Sequence, residues 1–83
     1  MKAKNITHEE ESAITIEHIN GLLAQIEDNS DDTWIGDDDF DINVYDNEYY
    51  GDGEKGYKYT VYRVVDGDTD VSVWIAHGDI ELN

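Results

Sequence analysis

Residues 7–28 read THEEESAITIEHINGLLAQIED, and whether this stretch is one long helix decides the fold of the chain. Thr7-His8-Glu9-Glu10 has the residue types of a capping box, in which a threonine hydroxyl accepts from the amide three residues on while the glutamate reaches back. Ile16, Ile19, Leu22, Leu23 and Ile26 then recur at three- and four-residue intervals as one apolar stripe, which Asp28-Asn29-Ser30 ends. The spacing predicts a helix over roughly residues 8–28. Glu10, Glu17 and Asp28 fall on the opposite stripe, so its solvent face is expected to be acidic. Gly21 weakens this helix, and Ile14 lies outside its stripe.

Working outward, residues 31–36 read as a connector or short edge strand whose Trp34 is expected to cap the core. Residues 37–46 alternate, with Phe40, Ile42 and Val44 on one side and Asp39, Asp41, Asn43 and Tyr45 on the other. Residues 47–56, rich in Gly, Asp and Asn, must turn, and residues 57–65 follow as a Tyr- and Val-rich strand. Asp66-Gly67-Asp68-Thr69 reads as a tight hairpin turn. Val71, Val73 and Ile75 then alternate with Ser72, Trp74 and Ala76, and a short fourth strand is expected at residues 80–82. This order predicts an α+β fold in a single small domain spanning residues 1–83: one N-terminal helix packed on a three- to four-stranded antiparallel sheet.

Charge is divided unevenly along that order. Between Asn5 and Glu54 there is no Lys or Arg, yet sixteen Asp and Glu; the five basic residues lie outside and offset the five remaining acids. The formal charge of −16 therefore belongs to one contiguous stretch. A small domain needs a net charge of only about 2–8 to stay dispersed, so this excess points to a surface that meets something positive. Hydrophobic content of 39%, with two Trp and six Tyr, is enough to fold one small core. Crowded like charges should make the fold more stable as salt is added.

The same charge excludes partners. Phosphates and anionic bilayers would repel this chain, so direct binding to nucleic acid or membrane is not expected. The absence of cysteine suits a reducing cytosol, and neither a signal-peptide apolar run nor a membrane-spanning run is present in the sequence. A cytoplasmic location is expected, which for a phage-encoded protein would be the host cytoplasm.

Motifs for chemistry are weak. Gly51-Asp52-Gly53-Glu54-Lys55-Gly56 has G-x-G-x-x-G spacing, but it precedes a strand rather than a helix and carries its own acids, so a hairpin loop is the better reading. Asp66-x-Asp68-x-Asp70 and Asp39-x-Asp41-x-Asn43 resemble the opening of a calcium loop but lack its sixth-position Gly and twelfth-position Glu. His8, His18 and His77 share no ligand spacing, and no nucleophile elbow or triad accompanies the carboxylates. Neither a cofactor, a metal nor a catalytic residue is assigned, and the chain is expected not to be an enzyme.

What remains is the acidic block and the tyrosines beside it. Along a strand, alternate side chains on one face are about 6.6 Å apart, so Asp37, Asp39 and Asp41 are expected to present a row of negative charge. Asp31, Asp32, Asp38, Asp46, Glu48, Asp52 and Glu54 extend the expected partner-binding surface, with Tyr49 and Tyr50 as non-ionic anchors.

In composition and charge layout over nearly its whole length, this cysteine-free acidic chain resembles the phage-encoded DNA mimics: anti-CRISPR proteins first, then anti-restriction proteins and inhibitors of DNA glycosylases. The resemblance rests on no shared motif and carries over no functional residue. It implies a non-enzymatic inhibitor that occupies the nucleic-acid groove of a basic defence or DNA-processing protein. The alternatives are an acidic accessory or interaction domain whose charge serves solvation, and a divalent-cation-binding module. Oligomeric state is left open, with Ile14, Trp34 and Trp74 as a candidate dimer patch.

Overall fold

The computed structural model of the chain describes residues 1–26, 32–48, 51, 53, 56–65 and 68–81, with backbone alone at residues 32 and 68–72. Its strands are β1 (Lys2–Ala3), β2 (Thr7–His8), β3 (Asp32–Gly36), β4 (Phe40–Asp46), β5 (Tyr57–Val65) and β6 (Asp68–Glu81), and its helix α1 is Ile16–Leu23. All six strands join one antiparallel sheet in the order β1-β6-β5-β4-β3, and β2 also pairs with β6. The expected α+β layout, a long N-terminal helix on three or four strands, is thereby corrected. The molecule is mostly sheet, curled around one eight-residue helix that two short strands precede.

The apolar stripe of the helix is the one the sequence spells out, but its start is displaced. Thr15, not Thr7, is the N-cap: its Oγ1 accepts from His18 N at 3.2 Å. Thr7 and His8 instead pair with His77 and Ala76 of β6, and the amide of Glu9 donates to Ile75 O at 2.9 Å. A capping box satisfies local amides, whereas sheet pairing satisfies the same backbone and also buries Ile14, only 1% exposed. Gln25 N and Ile26 N close the last turn on Leu22 O and Leu23 O.

β4 and β5 follow the expected period of two. Ile42, Val44, Tyr59 and Val61 point inward, fully buried, where they meet Ile19, Leu22 and Leu23 of the helix. Each such side chain contributes about 1.5–3 kcal/mol on leaving water. In β6 the alternation fails. The register slips between Val61 and Tyr62, so that Val61 faces Ala76 while Tyr62 faces Trp74, and Ile75 and Ala76 are both buried. Such bulges bend a sheet, and here the helix touches β1 at one edge and β3 at the other. The expected separate strand at residues 80–82 is the end of β6, which runs unbroken to Glu81.

The N-terminal segment is tied down by polar contacts. Tyr59 lies opposite Gly78 and passes its hydroxyl to Asn5 O; a Cβ on Gly78 would collide with that hydroxyl and with Asn5. Asn5 in turn accepts from Asp79 N at 3.0 Å and donates to Asp79 Oδ2 at 2.9 Å. Burial, and then the charge of Asp79, push the Tyr59 hydroxyl up to about 12. His77 Nε2 donates to Glu9 Oε1 at 2.5 Å, His8 Nε2 to Ile14 O at 3.0 Å, and Arg63 pairs with Glu10. Glu10, expected on the solvent face of a helix, is therefore a clamp on the sheet, as is Glu9.

Candidate partner-binding surface

The expected acidic row along β4 is rearranged by a turn. β4 begins at Phe40, and Asp37, Asp38 and Asp39 occupy the connection from β3. Asp37 builds that turn: its Oδ1 accepts from Asp39 N and Phe40 N, each at 2.8 Å, and its own amide donates to Phe40 O at 2.9 Å. Its Oδ2 accepts from His18 Nε2 at 2.6 Å, which anchors the helix to the turn. Burial alone would raise the Asp37 carboxyl, but the His18 bond, the Phe40 and Asp39 amides and the His18 charge together hold it below its ordinary value. Asp37, Asp38 and Asp39 are all exposed, but Asp37 is also a structural residue of the turn.

Asp41 is on the outer face of the sheet, opposite Tyr62, with its carboxylate laid over Gly36. Any side chain at residue 36 would meet Asp41 and the Phe40 carbonyl, so glycine is required by that approach. Asp46 and Glu48 lie at the other end of β4, about 20 Å from Asp38. Asp46 Oδ1 accepts from Glu48 N at 2.6 Å in the turn toward β5, and Asn47 N donates to Gly56 O at 3.1 Å. Gly51, Gly53 and Gly56, all at positive φ, shape that loop as a hairpin connection. Asp31, Tyr49, Tyr50, Asp52 and Glu54 lie outside the described residues, and of Asp32 only the backbone, paired with Tyr45, is described.

Among the described residues, the acids therefore do not share one face. Asp38 and Asp39 sit at one end of the sheet and Glu48 at the other, Asp41 is on its outer side, and Glu17 is exposed on the helix, across the core. The described acids are spread over both ends of the sheet, its outer side and the helix.

Sequence reasoning missed the aromatic character of the outer face. Trp34 does not cap the core; it is 50% exposed and its ring lies 5.3 Å from that of Tyr62. Tyr62 is opposite Trp74, 48% exposed, whose ring lies 5.5 Å from that of His77. The register explains the placement: Trp34 pairs with Asn43 while its neighbour Ile35 pairs with the inward Ile42. Ile14, grouped with the tryptophans as a dimer patch, is buried and separate from them.

An open depression of about 440 Å³ is lined in part by Glu11, Ser12, Asp39, Phe40, Arg63 and Ile75. Arg63 on its wall is matched by Glu10. Among the described residues no group of three or more His, Asp or Glu is arranged to hold a metal ion, and no helix is long and apolar enough to cross a membrane. Comparison with known protein families, curated proteins and solved structures found no match.

Proposed function

We propose that this protein is a non-enzymatic inhibitor that mimics the charge of a nucleic-acid duplex and occupies the basic groove of a defence or DNA-processing protein, in the manner of anti-CRISPR proteins. The observation that carries this reading is charge per length. The body is 34 Å in its longest dimension and bears a formal charge of −16. The same length of B-DNA carries about 20 phosphate charges. A duplex is negative all round, so acids at both ends of the sheet, on its outer face and on the helix support the reading better than a single acidic row would. A Lys- and Arg-lined groove would attract such a body at long range and release it as salt rises.

The test uses side chains that hold no structure. Asp38, Asp39 and Glu48 are exposed and can be reversed together, whereas Asp37 would break its own turn. Proteins retained from a host lysate by the immobilised chain at low salt should be released by duplex DNA, and D38K/D39K/E48K should retain at least tenfold less. Retention that duplex DNA leaves untouched, or that the triple variant preserves, would overturn the proposal.

A further inference from the structure

Among the described residues no element forms a layer over the outer face of the sheet, and its side chains are not those of a merely solvated face. Trp34 of β3 stacks near Tyr62 of β5, Tyr62 is the register partner of Trp74 on β6, and Trp74 stacks near His77, giving an aromatic band in which the two tryptophans are each about half exposed. Thr60, beneath this band and between Asn43 and His77 in register, is 3% exposed, and its Oγ1 is buried without a partner. A buried hydroxyl with no bond costs free energy that nothing within the described chain returns. Asp41 lies directly opposite Tyr62.

Charge decides among occupants. A second copy would bring another body of charge −16 against this one, and phosphates would be repelled in the same way. The occupant must be cationic and must also match half-exposed indole and phenol rings. Guanidinium meets both conditions, being planar, weakly hydrated and able to stack on aromatic faces, where the compact and strongly hydrated ammonium of lysine is less suited. We propose that the outer face binds arginine side chains of the basic partner, with Trp34, Tyr62 and Trp74 as the stacking platform and Asp41 as a neighbouring carboxylate. This rests on the proposed function for the existence of a basic partner and adds which part of the molecule reads it and what it prefers.

Nona-arginine and nona-lysine, equal in length and charge, are the probes. Because the only two tryptophans of the chain both belong to the band, their fluorescence reports occupancy directly, and calorimetry gives the affinity. Nona-arginine should bind at least fivefold tighter than nona-lysine and shift the tryptophan emission. In W34A/W74A the two peptides should bind within twofold of each other, with nona-lysine affinity unchanged; W34F/W74F should restore most of the preference. Thermal melts of both variants verify that they fold. Equal binding of the two peptides to the unmodified chain, or an arginine preference that survives in W34A/W74A, would overturn the aromatic platform while leaving the charge-mimic reading standing. Binding of neither peptide at low salt would overturn both.

Discussion

The two faces of β4 and β5 are made by the same strands, yet they obey different rules. On the inner face, Ile42, Val44, Tyr59 and Val61 are fully buried against the helix. On the outer face, Asp41, Asn43, Thr60 and Tyr62 alternate with them and are neighbours to half-exposed tryptophans. The inner face is explained by transfer of apolar surface out of water. The outer face is not: it leaves large rings in water, a choice that folding alone does not favour and that binding can. One sheet thus separates the residues that make the fold from those offered to a partner.

The sharpest way to break this comparison is a matched pair of truncations in adjacent strands. Ile42→Ala should cost about 3 kcal/mol, since it opens a cavity against a well-packed helix. Trp34→Ala, although it removes a larger side chain, should cost about 1 kcal/mol, mostly the ring contact with Tyr62. Urea unfolding midpoints compare them; equal losses would mean that the outer face is part of the core.

Tyr59 sharpens the inner side. Its removal as Tyr59→Phe should cost about 1–2 kcal/mol through the lost bond to Asn5 O. Ultraviolet titration of the unmodified protein should show one tyrosine ionising at about 12 rather than at 10.0, and that step should be missing in the variant. The folded value is raised, so the proton is held more tightly in the fold. The contribution of Tyr59 is complete below pH 10.0 and is lost as pH rises through about 12.

The smallest expected effect lies where the helix meets the β3–β4 turn. Asp37→Ala should cost about 1 kcal/mol, because two turn amides and His18 lose their acceptor. The folded Asp37 carboxyl is lowered from 3.8, so its contribution is present above that pH and fades as pH falls below it. The stability gap between the unmodified chain and the variant should close in that acid range. A gap that stayed constant would show that the turn is held by backbone geometry alone. Comparing the two proteins at each pH cancels the general relief of repulsion that protonating other acids brings.

Much of this was legible in the sequence because it depends on neighbours. Alternation placed Ile42 and Val44 inside, a run of Gly, Asp and Asn placed the β4–β5 turn, and three- and four-residue spacing found Ile19, Leu22 and Leu23. The Thr7 capping box misled because its competitor is distant: His77 and Ala76 lie about seventy residues away and offer Thr7 and His8 a ladder that no local pattern reveals. The aspartates 37 to 39 misled for the opposite reason. Their short side chains bond to nearby amides, so they form a turn where alternation alone read a strand.

By itself the sequence determined the strands β4 and β5, the stripe of the helix and a charge of −16 carried in one contiguous stretch, since period and composition are properties of adjacent residues. Only the tertiary structure decided that residues 7–8 join β6, that Asp37 to Asp39 form a turn rather than a strand row, and that the tryptophans are exposed. Those outcomes depend on which distant strand supplies the hydrogen bonds and on the register shifts between β5 and β6, at Val61/Tyr62 and again between Tyr62 and Val64, beyond which side chains meet different neighbours.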